Sequence, residues 1–238
     1  MRKITLLTAA LAISLVAMAQ AMSGTYKVGV TDPVSDFTTL KAAIDAVNAN
    51  GVAGDVLLEI TSNLTEAADI SLGVNTGLFK ITIKPAATTN PVITFTNIGT
   101  SVSIDGHFII GSPNALNTNL IPTNNLIIDG SNTIDGSTKD LTFIGSASSV
   151  TRSVFRVFGN CDGITIKNCI ITTKNTSGSS NACIQLTDYT TFAPDNFTAL
   201  NNTLNANSGN GSLGALISVS GTPTALMTGI KIQNNVVT

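Results

Sequence analysis

Three short lines of the sequence recur with a fixed step. Aligned on their apolar residues, Ile164, Phe197 and Ile230 lie 33 residues apart. The same step relates Ile166, Ala199 and Ile232, the polar trio Asn168, Asn201 and Asn234, and the pairs Ile184–Ile217 and Leu186–Val219. A fixed period of this length marks a solenoid, in which each unit buries its apolar face only against its neighbours. Within a unit the alternation has period two, so Ile164 and Ile166 face one way while Thr165 and Lys167 face the other. Asn168 then leads straight into a second apolar run, residues 169–172. This two-residue step is far too short for a helical crossover. It predicts a sharp corner between two sheets of one coil.

A corner with positive φ favours Gly or Asn, which tolerate the left-handed region. In "NLIIDGSN", Leu126 and Ile128 sit where Ile164 and Ile166 sit later, and Gly130 falls at the corner position. Gly130, Asn168, Asn201 and Asn234 are therefore expected to share one geometry. Stacked at a spacing of about 4.8 Å, the three Asn amides would hydrogen-bond as a ladder. Leu200 breaks the pattern, being apolar at the outward position held by Lys167 and Gln233.

The lines "GITIKNCII", "FTALNNTL" and "GIKIQNNVV", preceded by "NLIIDGSNTIDGSTKDLTFIG" and, nearer the start, "DFTTLKAAIDAVNANGVAGDVLLEI", resemble the right-handed parallel β-helix of the pectin-lyase-like superfamily. The likeness is greatest to its exported bacterial members of uncertain function and covers nearly all of residues 22–238. It implies an all-β, right-handed parallel β-helix with an N-terminal capping α-helix. Independently, Phe37, Leu40, Ile44 and Val47 recur at helical spacing. Asp36 is placed to cap the start and Asn50-Gly51 to end the helix, giving a cap over about 36–50. The first strand is expected at 56–60, with further strands in "KITIK" (80–84), "PVITF" (91–95) and "SVSID" (101–105), and a loop inserted over 111–125. Residues 236–238 match the middle of the coil at 170–172, so the C-terminal end reads as uncapped and the chain as a piece of a longer protein.

Residues 1–21 read as a signal peptide: a basic start (Arg2, Lys3), an apolar run to about Val16, and small residues at cleavage spacing. The mature β-helix domain is then 22–238, exported to the cell exterior or surface. Without Arg2 and Lys3 the formal charge moves from −2 to −4. That balance lacks the basic stripe a nucleic-acid binder needs, and no second apolar run is long enough to cross a bilayer. Cys161, Cys169 and Cys183 are an odd number for an oxidising compartment. One pair can bridge, but Cys169 and Cys183 lie in apolar runs where a free thiol packs as a small hydrophobe.

No catalytic residue is assigned. The resemblance implies clustered Asp and a base for lyases, a Gly-His-Gly turn for polygalacturonases, and an Asp pair with Arg for methylesterases. "FTTLKAAIDAV" is similar to the esterases, yet their later motifs are missing, and residues 105–107 read Asp-Gly-His. Asp129, Asp135 and Asp140 carry oxygens suited to Ca2+, although Asp-Gly is also a common turn pair. His107, the single histidine, has no identifiable nucleophile beside it in the sequence and reads as structural or exposed. The binding reading falls on Arg156, with Gln185 and Ser218 following in its row on later coils, and on Asp188 and Tyr189 in the loop beyond. Hydrogen-bonding groups with one stacking ring suit a polysaccharide strand lying along the axis. The expected role is a binding or structural module towards polysaccharides or cell-surface glycans. The contender is a polysaccharide lyase or glycoside hydrolase with its catalytic groups beyond Thr238, and a weaker third reading is an autotransporter passenger.

Overall fold

The computed structural model describes residues 20–30, 34–97, 106–111, 121–146, 152–174, 182–189, 191–206 and 216–238. Residues 1–19 of the signal peptide expected over 1–21 and the strand expected at 101–105 lie outside them. After β1 (Met22–Val28) and α1 (Leu40–Asn50), the chain winds in coils of up to three strands. The first holds β2 (Val52–Ile60), β3 (Leu64–Glu66) and β4 (Ile70–Leu72); the second, β5 (Ile81–Pro85), β6 (Val92–Phe95) and β7 (Gly106–Ile110). The third holds β8 (Leu126–Asp129), β9 (Leu141–Ile144) and β10 (Ser153–Phe158). The fourth holds β11 (Thr165–Lys167), β12 (Cys169–Thr173) and β13 (Ile184–Thr187); the fifth, β14 (Thr198–Leu200), β15 (Thr203–Ala206) and β16 (Ile217–Ser220). β17 (Lys231–Gln233) and β18 (Val236–Val237) follow.

Each coil contributes one strand to each of three parallel sheets. Sheet A runs β1-β2-β5-β8-β11-β14-β17, sheet B runs β3-β6-β9-β12-β15-β18, and sheet C runs β4-β7-β10-β13-β16. This is a right-handed parallel β-helix. Registers follow the 33-residue step: Ile166 pairs with Ala199 and Ala199 with Ile232. Ile164 and Phe197 are fully buried, and Ile230 packs against the same core. Phe143 meets the Phe155 ring edge-on at 4.8 Å between centroids, and Phe108 lies 5.7 Å from it, filling the middle of the coil. Each fully buried side chain of this size contributes about 2 kcal/mol of apolar transfer.

The helix caps the first coil through Leu40, Ala43, Ile44 and Val47. It starts four residues later than the sequence suggested. Thr39, not Asp36, is the N-cap, its hydroxyl accepting from the Ala42 amide at 3.0 Å. Asp36 instead accepts from the Lys27 amide at 2.7 Å, fastening β1. A carboxylate from the first coil completes the cap: Glu66 accepts from the Leu40 and Lys41 amides at 2.7 and 3.3 Å. Burial raises the Glu66 pKa, opposed by those two N–H groups. Gly51, at φ 68, ends the helix. β1, mostly polar and buried only at its ends, carries no clear strand signal, yet it pairs in parallel with β2 and so makes α1 a crossover.

All three thiols are free and buried. Burial pushes the Cys161 thiol up to about 11 and Cys183 up to about 12, and raises Cys169 further. They pack as small hydrophobes, and no disulfide joins them.

Candidate functional site

The outer face of sheet A carries an ordered column of charge. In register, Lys27 pairs with Glu59 and Glu59 with Lys84. Ile83 pairs with Ile128, which sets Asp129 beside Lys84, and Asp129 pairs with Lys167. The signs alternate along five successive strands, the arrangement that cross-strand pairing favours. The adjacent outward column is Thr25, Leu57, Thr82, Ile127 and Thr165. The loop after β8, with Ile134 and Asp135, overhangs these columns and borders an open cleft of about 430 Å3. Its floor crosses five strands, from Thr25 to Lys167, and so runs about 19 Å along the axis. Asp129 is spent within the protein: Lys167 Nζ lies 3.0 Å from one oxygen, while the Ser131 amide and Asn168 Nδ2 donate to the other. Lys84 makes no ion pair among the described residues. The sequence does hold the signal, since "YKV", "LEI", "IKP", "IDG" and "IKN" place one charge at the same strand position each time.

The row expected on sheet C is in register but is covered at Arg156. Arg156 pairs with Gln185 and Gln185 with Ser218. Arg156 alternates with the inward Phe155 and Val157, yet it is only 8% exposed. Every residue of β7 and β10 is buried, so both faces of sheet C are covered there. The Arg156 guanidinium sits 5.8 Å from the centre of the Phe158 ring. Tyr189 packs against that ring from elsewhere, at 5.3 Å and tilted by 56°. Asp188 accepts from the Thr222 amide at 2.7 Å, tying two coils together. Gln185 stays half-buried, with Ser153 Oγ 3.5 Å away. Of the four, Arg156 is buried, while Gln185, Asp188 and Tyr189 stay partly exposed.

The corner residues divide. Asn168, Asn201 and Asn234 have φ of 58, 55 and 54°. Asn168 Nδ2 donates to Asp129 at 2.8 Å and Asn201 Nδ2 to Asn168 Oδ1 at 2.8 Å, while Lys139 Nζ donates to Asn201 Oδ1 at 3.2 Å. Gly130 departs from the expectation, because its φ is not left-handed. A Cβ there would run into the Asn168 carbonyl of the next coil, so close approach explains the glycine. A second ladder went unread: Asn202, fully buried, accepts from the Cys169 amide at 2.9 Å and donates to Asn235 Oδ1 at 2.9 Å. Asp129, Asp135 and Asp140 do not converge. Asp140 accepts from the Asn132 amide and Thr138, Asp135 lies in an exposed turn at φ 52°, and no metal-holding cluster occurs among the described residues.

His107 sits in a polar cluster that spacing did not reveal. It is 2% exposed, stacked on Phe95 with centroids 5.0 Å apart and 12° between planes. Ser146 Oγ lies 3.3 Å from Nε2 and Asp69 Oδ1 3.6 Å from Nδ1. The order Asp, His, Ser suggests a nucleophilic relay, but the protons are placed otherwise. The Ser146 amide occupies the Nε2 lone pair at 3.1 Å, and the Ser146 hydroxyl donates to the Asn97 carbonyl at 2.7 Å. Nε2 therefore has no free lone pair with which to activate that hydroxyl. Arg152 pairs with Asp69 and donates to the Asn97 carbonyl at 3.0 Å. Burial raises the Asp69 pKa, but contacts to His107 and Arg152 outweigh it and leave the carboxyl below its usual range.

No helix among the described residues is long and apolar enough to cross a membrane. No family model matches the chain, and neither does any curated protein. Among solved structures it is similar to a pectin methylesterase from Aspergillus niger in deglycosylated form, at 12% identity, over 92% of this chain and 87% of that one, with a TM-score of 0.27. A likeness at that level carries no functional weight, and the fold rests on the strand order of its three parallel sheets.

Proposed function

We propose that the protein is an exported or cell-surface β-helix module that binds polysaccharide along the outer face of sheet A. The observation that carries this reading is the cleft itself, elongated along the axis, with Lys80, Lys84 and Lys167 on its floor and Ile134 on its overhang. One strand spacing is close to the length of one sugar in an extended chain, so a bound glycan meets about one rung per unit. Lys84, half-buried and with no ion pair among the described residues, offers an ammonium to hydroxyl or carboxylate oxygens. Ile134, 88% exposed, offers an apolar surface to the face of a sugar ring. No nucleic-acid role competes, given the balance of charge.

The test is affinity electrophoresis of the protein in gels containing neutral or acidic polysaccharides. Retardation by at least one polymer is expected, with Lys84→Ala weakening it by roughly fivefold, about 1 kcal/mol, as for one charge-assisted hydrogen bond. Retardation by none, or equal retardation of the variant, overturns the reading. Release of unsaturated or reducing ends from the same polymers would identify an enzyme in place of a binding module.

A further inference from the structure

We propose that Asp69, His107, Ser146 and Arg152 form an acid-sensitive latch across three successive coils, in which a neutral imidazole holds the third coil through the Ser146 amide and its protonation releases it. The residues come from three turns of the helix. Asp69 precedes β4 on the first coil, Asn97 and His107 flank the sheet B–C corner of the second, and Ser146 and Arg152 flank that corner of the third. The hydrogen bonds dictate the tautomer. Nε2 accepts from the Ser146 amide, so the ring's single proton lies on Nδ1, facing Asp69.

A second proton has no favourable place to go. On Nε2 it would turn an acceptor into a donor pointed at another N–H, breaking the Ser146 contact. Phe95, stacked on one face of the ring with 12° between planes, holds it against turning away. Nor is water at hand for a charged ring that is 2% exposed. Among the described residues the charged groups facing it are Asp69 and Arg152, and Arg152 already holds the carboxylate. An imidazolium would therefore share one carboxylate with a guanidinium. Burial, the main cause, lowers the His107 pKa in the folded chain, while Asp69 stays ionised below its own usual range.

The sign follows directly. The unfolded chain takes up this proton near the ordinary value of 6.5, while the folded chain resists it. Stability from the latch is complete above that value, is lost progressively as pH falls below it, and stops falling below the depressed folded value. Because His107 is the single histidine, NMR of the intact protein reads its tautomer and titration without ambiguity. The expected result is an Nδ1–H ring that titrates below 6.5. Ser146 amide exchange, corrected for its intrinsic pH dependence, should accelerate at least about tenfold between about pH 8 and about pH 5. His107→Gln keeps a neutral acceptor and should abolish that acceleration. A ring that titrates at its ordinary value, or a Ser146 amide equally protected at both pH values, overturns the proposal. If the Gln variant fails to fold, the wild-type titration and exchange decide the matter alone.

Discussion

The corner between sheets A and B and the corner between sheets C and A both use left-handed backbone, yet they fill it differently. At the first, Asn occupies three consecutive coils, at Asn168, Asn201 and Asn234. At the second the residues alternate: Asn125, Gly163, Asn196 and Gly229, with φ of 53, 68, 50 and 65°. Strand-like bonds at this corner keep the four in register from coil to coil. The difference lies in where the side chain runs. At the A–B corner the amides point along the column, so Asn168 Oδ1 becomes the acceptor for the Asn201 amide, while Asn201 Oδ1 takes the Lys139 ammonium. At the C–A corner the Asn oxygen covers the next coil's Cα. A Cβ on Gly163 would lie 3.2 Å from Asn125 Oδ1, and one on Gly229 would overlap Asn196 Oδ1. Asn196 meanwhile donates back to Asp162 at 2.8 Å. Positive φ admits Asn or Gly; the neighbouring coil decides which.

The largest effect tests the exception in the first column. Gly130→Ala drives a Cβ into the backbone of Asn168, which no rotamer can relieve. A loss of roughly 3 kcal/mol or more in urea unfolding is expected. A mild loss would mean the coils shift more freely than their bonds imply. Next is Gly229→Asn, which suits the left-handed backbone but collides with Asn196, at about 2 kcal/mol. Adding Asn196→Gly reverses the order of the pair and should recover about 1 kcal/mol. Strictly additive losses would break the comparison. The smallest effect is Asn201→Gly, which keeps the conformation and deletes the bonds to Asn168 and Lys139. A cost of about 1 kcal/mol is expected, and no cost would make the ladder decorative.

Much of this architecture was legible because the later coils keep a constant length. Ile164, Phe197 and Ile230 align by counting alone, as do the left-handed Asn residues. The earlier coils do not. Phe108 pairs with Ile70 on one side and Phe155 on the other, steps of unequal length, so nothing in the spacing announces that Asp69, His107 and Ser146 meet. Arg156 alternates with the inward Phe155 and Val157, but period two reports the face of a strand and says nothing of what lies over that face. The helix start misled because Asp36 and Thr39 are both competent caps. The structure gives the Asp36 carboxylate to Lys27 and leaves the cap to Thr39, with Glu66 supplied from 26 residues away. The sheet A cleft depends on the overhang of the loop after β8, a tertiary fact.

The charge column on sheet A has a consequence for assembly. Coils that resemble one another invite the chain to omit one and pair a strand with the next but one. Here such a skip would set Lys27 against Lys84, Glu59 against Asp129, and Lys84 against Lys167, like signs throughout. It would also bring Asn125 over Asn196 and Gly163 over Gly229 at the neighbouring corner. Both patterns carry the parity of the coil, odd or even, so the winding checks its own count.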